Sequence, residues 1–395
     1  MTAKSYDVVV VGGGPAGATC AADLAARGRS VLLLDRAGRA KPCGGAVPPQ
    51  LLADFDVPES LLVARIQSAR IVSPRGRAVD IPVGAGYVGM VDRDVFDEWL
   101  RERAAARGAE RRTGIFTRFD QTGDGGVAVH YSAGSSRSGH AESVYARMIV
   151  GADGALSAVG RDSIPGSAAM RRVFAYHEIV ATPTTGSFDG SRCDVYYQGE
   201  LSPDFYGWIF PHGPTTSIGT GSLRQGFALR DAVGRLRAMT GLQAAKTIRR
   251  EGAPIPLTPL RRWDNGRNVL LAGDAAGVVA PASGEGIFYA MTGGRYAADA
   301  VDAALATGRP RELASARRRF MREHGQVFRV LGIMQRFWYA NDGRRERFVA
   351  ICRDPDVQRL TFDAYMRKRL VRANPLAHVR IFAKNIAHLT GLVSA

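Results

Sequence analysis

Three glycine-and-aspartate segments carry the residue types that hold a dinucleotide: Gly12-Gly13-Gly14-Pro15-Ala16-Gly17, Gly151-Ala152-Asp153-Gly154 and Gly273-Asp274-Ala275-Ala276-Gly277. The first follows the apolar run Val8 to Val11 and opens a helical pattern from Pro15 to Arg27, so it sits where a strand turns into a helix. There Gly12 permits the turn, Gly14 lets the backbone approach phosphate, and Gly17 lets the helix pack close to the strand. The helix start at Pro15 and Ala16 then turns its dipole and its unpaired N–H groups, which begin after the proline, towards a pyrophosphate. Asp35, with Arg36 beside it, ends a second apolar run at about the 20-residue spacing at which an acidic side chain meets a ribose hydroxyl. Gly273-Asp274 terminates the run Asn268 to Ala272, where a carboxylate can accept from a ribitol hydroxyl. Together these features point to bound FAD.

Other segments suit the rest of such a site. Asp153 either contacts flavin or nicotinamide nucleotide, or caps the turn that follows it. Gly284, Glu285, Gly286 and Ile287 place small residues and a helix start where negative charge at N1 and O2 of the flavin ring can be stabilised, with Glu285 orienting the loop. In Lys41-Pro42-Cys43-Gly44-Gly45-Ala46, glycine next to cysteine allows the backbone to come close to a ring. Cys43 is there as an inert packing residue or as a redox or proton-donating group.

These segments must be positioned by more than one core, because 395 residues exceed what a single core usually organises. The pattern reads as α/β. A discontinuous, Rossmann-like FAD-binding domain is expected over residues 1–60, 88–165 and 262–310, with a β-rich substrate domain inserted over 61–87 and 166–261 and a helical basic region over 311–395. Within the first, a helix is expected from Asp94 to Arg107, a strand meander from Thr113 to Arg147, and strands at Met148 to Val150 and Asn268 to Asp274. No apolar stretch approaches the roughly 20 residues of a membrane span, and the first strand begins by Tyr6, leaving no room for a leader. A cytoplasmic protein is expected. Four scattered cysteines signal neither a metal site nor a disulfide framework.

The formal charge of +16 calls for anionic partners, yet no nucleic-acid motif accompanies it. Basic residues concentrate after Arg309, in Arg317-Arg318-Arg319, Arg344-Arg345 and Arg367-Lys368-Arg369, among aromatics such as Phe337, Trp338 and Phe362. Either this is a solvated surface over a packed apolar face, or it meets an anionic membrane surface.

Lys41-Pro42-Cys43-Gly44-Gly45-Ala46-Val47-Pro48, Tyr206-Gly207-Trp208-Ile209-Phe210-Pro211, and Gly273 to Gly277 through Gly284-Glu285-Gly286 resemble the FAD-dependent geranylgeranyl reductases. Tyr87-Val88-Gly89-Met90-Val91, Leu201 to Tyr206 and Glu251 to Pro256 resemble the branch acting in chlorophyll and bacteriochlorophyll synthesis. The resemblance implies a fold like that of p-hydroxybenzoate hydroxylase. It also implies NADPH as reductant and saturation of a geranylgeranyl chain, carried as a diphosphate or a (bacterio)chlorophyll ester, at the photosynthetic membrane. Arg93 would hold the cofactor. Asp35 departs from the glutamate of many relatives.

An isolated alkene has no carbonyl to stabilise charge, so hydride addition must be matched by a proton while water is excluded. Tyr206, Trp208 and Phe210 alternate and would share one face, able to line an isoprenoid cavity and to favour developing positive charge on carbon; alternatively they are core. Cys43, Tyr206, His177 or an ordered water could give the proton. Two rival readings share the motifs: an aromatic flavin hydroxylase, which needs oxygen, and a flavin-bearing scaffold for isoprenoid pigment, which NADPH would leave oxidised.

Overall fold

The computed structural model describes residues 4–36, 41–83, 86–136, 138–184, 188–359 and 368. Phe362, Arg367 and Arg369 of the basic region, and residues 370–395, lie outside the described residues. The chain forms two compact units. One comprises Met1–Lys41, Arg93–Arg172 and Pro254–Gly325; the other Pro42–Asp92, Val173–Ala253 and Gln326–Ala395.

In the first unit the valine run becomes the strand Ser5–Val11, parallel to Val31–Asp35 on one side and to Ala141–Gly151 on the other. Val8, Val9 and Val10 are fully buried, as expected of a parallel strand covered on both faces. Ala141–Gly151 pairs in parallel with Val269–Leu271 at its end and antiparallel with Val127–Ala133 nearer its start. Val127–Ala133 pairs antiparallel with Glu110–Gln121, which also runs parallel to Val31–Asp35. The meander is therefore present with longer strands than its glycines suggested, and Met148 to Val150 is the end of one of them. The expected Asn268–Asp274 strand is shorter. It stops at Leu271 because Gly273, at φ +63°, leaves the extended region, and Gly273–Ala276 curls into one 3-10 turn.

Two helices complete this unit's centre, Pro15–Ala25 and Ile287–Thr307, and glycines set their approach. A Cβ at Gly17 would stand 1.9 Å from the Gly12 carbonyl oxygen, and one at Gly294 would stand 2.2 Å from that of Ala16. The helix expected after Asp92 runs Arg93–Ala106, and Gly108 follows at φ +101°.

The second unit is built on a seven-stranded sheet in the order Thr247–Pro256, Arg172–Ala181, Thr215–Ser222, Gly207–His212, Arg192–Tyr196, Ser68–Val72, Ala78–Pro82. Val233 and Leu236 of the helix Leu229–Met239 pack with Val180, Tyr196, Ile209 and Ile218 of the sheet. A smaller sheet joins Ala46–Val47, Val88–Val91 and Leu62–Ile66. That pairing is why this unit takes in Pro42–Asp92, a wider span than 61–87: Ala46 and Val47 hydrogen-bond to the strand holding Gly89 and Met90.

Replacing Gly294 with alanine forces a methyl group onto a backbone carbonyl that cannot rotate away. We expect Gly294→Ala to lose about 1–3 kcal/mol in urea unfolding and to be purified with less flavin per protein. A variant as stable as the parent, with undiminished flavin, would show that this approach is not tight.

Candidate functional site

At the first turn of the helix Pro15–Ala25, Gly14 is the N-cap, no side chain caps the helix, and no acidic residue occupies the first turn. Its leading N–H groups are thus left for an anion. Gly12 stands at φ +103°, and a Cβ there would lie 2.4 Å from the Ala152 carbonyl oxygen. At Gly14, by contrast, a Cβ would meet nothing within 4 Å. A turn tight against protein on one side and open on the other fits a pyrophosphate, and these residues fit FAD.

Asp35 lies at the end of its strand beside this turn. Arg101 Nη1 approaches its carboxylate at 3.4 Å and donates to the Gly13 carbonyl oxygen at 3.3 Å. Burial pushes the Asp35 carboxyl above its ordinary value, against the opposing pull of the Gly13 N–H and the Arg101 guanidinium. Arg36 next to it is exposed. Asp274, in the 3-10 turn, is ion-paired with Lys41. Neither Arg101 nor Lys41 was recognisable as a carboxylate partner from sequence.

Glu285 accepts from the Phe288 N–H at 3.2 Å, so it satisfies a free donor at the start of Ile287–Thr307, whose N-cap is Gly286. In the preceding loop Ala282 is held at φ +42°, a conformation that costs a non-glycine residue on the order of 1–3 kcal/mol; nothing in the sequence signalled it. For Asp153 the structure supplies the capping partners. Its carboxylate accepts from the Ser157 hydroxyl and from the N–H groups of Ala158 and Val159, at the start of the helix Ala158–Ser163. Arg93 is buried and makes a two-pronged pair with Asp97 one turn on, at 2.8 and 2.7 Å.

The second unit brings together the cysteine loop and the aromatic strand. Cys43 Sγ accepts from the Gly45 N–H at 3.4 Å. A Cβ on Gly44 would lie 2.9 Å from the Phe210 ring, and Gly45, at φ +70°, lies against His212 and the Val91 carbonyl oxygen. Ala46 pairs with Met90. The other cysteines, Cys20, Cys193 and Cys352, are buried, and burial pushes their thiols up, that of Cys352 to about 12.

Tyr206, Trp208 and Phe210 do share a face. Trp208 is 6.1 Å from Tyr206 and 6.2 Å from Phe210 between ring centroids. Tyr197, 6.1 Å from Tyr206, extends the row towards Tyr339 and Phe348. Tyr206 and Trp208 are buried and Phe210 is half-buried.

The Trp208 N–H donates to Ser217 Oγ at 3.1 Å, which lies 2.8 Å from His177 Nδ1; His177 Nε2 is 3.1 Å from Glu251. One assignment satisfies every group: Ser217 donates to Nδ1, and Nε2–H donates to the carboxylate, whose other oxygen pairs with Arg249 at 2.6 Å. Both ring nitrogens of His177 are therefore occupied. Through Ser217 the ring braces the indole. Gly219 makes room for that indole, since a Cβ there would stand 2.3 Å from the ring.

We expect Gly219→Ala to displace Trp208, lowering stability by about 1–3 kcal/mol and changing the near-ultraviolet circular dichroism of the aromatic row. An unchanged spectrum and unfolding curve would mean that the indole is not wedged there.

Comparison with known proteins follows the same lines. A model of the FAD binding domain family matches residues 64–324, and one of the FAD dependent oxidoreductases matches residues 7–48. The chain is 56% identical over 389 residues to a geranylgeranyl diphosphate reductase of Rhodobacter capsulatus, with 98% of each chain covered. It is 38% identical to the chloroplastic geranylgeranyl diphosphate reductase of Oryza sativa, covering 97% of this chain and 86% of the relative. Among solved structures, a geranylgeranyl bacteriochlorophyll reductase-like protein of Thermoplasma acidophilum superimposes with a TM-score of 0.81 at 22% identity, covering 99% of this chain and 100% of that one; this likeness shows the fold.

Proposed function

We propose, from the premise that this chain belongs to the geranylgeranyl diphosphate reductase family, that it saturates isolated C=C bonds of a geranylgeranyl group stepwise to phytyl in chlorophyll or bacteriochlorophyll synthesis. The observation that carries the reading is the 56% identity to the Rhodobacter capsulatus enzyme across 98% of both chains. The substrate is geranylgeranyl diphosphate or a geranylgeranyl-(bacterio)chlorophyll ester, and NADPH is the reductant.

Each saturation adds a hydride and a proton across one C=C bond, with one NADPH oxidised to NADP⁺. FAD, when bound, supplies the hydride-transfer chemistry. The chain's own groups hold it: Gly12, Gly14, Pro15, Ala16 and Gly17 take the pyrophosphate, and Asp35 with Arg36 takes the ribose. Gly273 and Asp274 take the ribitol. The helix start at Gly284, Glu285, Gly286 and Ile287 would stabilise negative charge on the flavin ring, and Arg93, braced by Asp97, would add a cationic hold. The segment Cys43, Gly44, Gly45 and Ala46 also serves the flavin. Tyr206, Trp208 and Phe210 exclude water from the isoprenoid and favour positive charge developing on carbon. With His177 hydrogen-bonded to Ser217 and Glu251, we favour Cys43, Tyr206 or an ordered water as the source of the proton. The excess of positive charge suits work at the face of an anionic photosynthetic membrane. Among the described residues no helix is long and apolar enough to cross one.

The test is anaerobic incubation of FAD-loaded protein with NADPH and, separately, geranylgeranyl diphosphate and geranylgeranyl-bacteriochlorophyll, followed by mass spectrometry. Successive gains of hydrogen pairs are expected with at least one of them. A product carrying added oxygen, formed only in air, would favour the hydroxylase reading, and a flavin left oxidised by NADPH would favour the scaffold.

A further inference from the structure

His212 closes the strand Gly207–His212 and is 6% exposed. Its Nε2 lies 3.0 Å from the Gly44 carbonyl oxygen, and its Nδ1 lies 3.2 Å from Asp92 Oδ1. A carbonyl oxygen only accepts, and so does an ionised carboxylate. Each ring nitrogen therefore needs its own hydrogen to form its bond, whereas a neutral imidazole carries one between them. Two acceptors thus face the ring, the Asp92 carboxylate at Nδ1 and the Gly44 carbonyl oxygen at Nε2. Gly45 leaves no slack, because a Cβ there would stand 2.5 Å from His212 Cε1 and equally close to the Val91 carbonyl oxygen. Its N–H donates to Cys43 Sγ, and its carbonyl oxygen accepts from the Val91 N–H at 2.9 Å.

We propose that His212 is a positioning residue which, as an imidazolium donating from both ring nitrogens, ties the Gly44 carbonyl to Asp92 and fixes the shape of the Cys43-Gly44-Gly45 turn. Its use in catalysis rests on the reading that this turn serves the flavin and the proton transfer. The device itself is a matter of protons and acceptors within one unit of the fold.

Two measurements on the full chain test it, neither needing substrate, so that failure of the reductase reading leaves both unmoved. Long-range nitrogen–proton correlation spectra of histidine-labelled protein, with His212 assigned by its loss in His212→Gln, are expected to show hydrogen on both ring nitrogens at neutral pH. Cys43 is the half-exposed thiol and the others are buried, so its alkylation can be followed by peptide mapping. His212→Gln, which cannot donate to both partners as a cation, is expected to speed Cys43 alkylation roughly tenfold, while His212→Lys, which keeps charge and donors, stays within about twofold of the parent. A bare ring nitrogen in the parent, or Gln and Lys variants that react alike, would overturn the proposal.

Discussion

Everything around the glycine-rich start of the helix Pro15–Ala25 depends on one steric constraint, the approach of that helix to the backbone around it. With a Cβ at Gly17 only 1.9 Å from the Gly12 carbonyl oxygen and one at Gly294 only 2.2 Å from that of Ala16, hydrogen atoms alone fit between these segments. The contact fixes where the helix begins and which way its first N–H groups point. Since no side chain caps that end, the donors remain available to an anion. Gly14, where a Cβ would meet nothing within 4 Å, marks the open side.

Around that frame the acidic groups are managed by individual partners. Asp274 is neutralised by Lys41, Asp35 is approached by Arg101, and Asp153 spends its oxygens on the next helix. Buried carboxylates without such partners would be costly. In the second unit the same rule produces a different object. The indole N–H of Trp208 is buried and satisfied through Ser217, His177 and Glu251, so the aromatic row is held by hydrogen bonds as well as by packing. His212 performs a comparable task on the backbone of the cysteine turn.

What was legible in the sequence was local. The turn at Gly12 to Gly17, the strands that flank it, the helix after Asp92 and the alternation of Tyr206, Trp208 and Phe210 depend on neighbours a few residues away, where spacing is informative. Partners distant in the chain were not legible. Arg101 is 66 residues from Asp35, Lys41 is 233 from Asp274, and His212 is 168 from Gly44. No spacing rule joins such pairs, because the sheet topology brings them together. The same topology explains why Ala46 and Val47 join the strand at Gly89, and why His177, a free candidate on paper, has both nitrogens engaged. Asp153 shows a subtler limit: the motif marked a useful carboxylate, and its partners in the fold, the Ser157 hydroxyl and the N–H groups beyond it, were not assigned from spacing.

A crystal structure of the FAD-loaded protein tests the central claim most directly. The pyrophosphate is expected on the N–H groups of Gly14 and Ala16, on either side of Pro15, with the ribose at Asp35 and the ribitol at Asp274. A flavin bound with its pyrophosphate away from that turn, and neither carboxylate on a hydroxyl, would contradict the claim that the glycine-set helix start is the cofactor site.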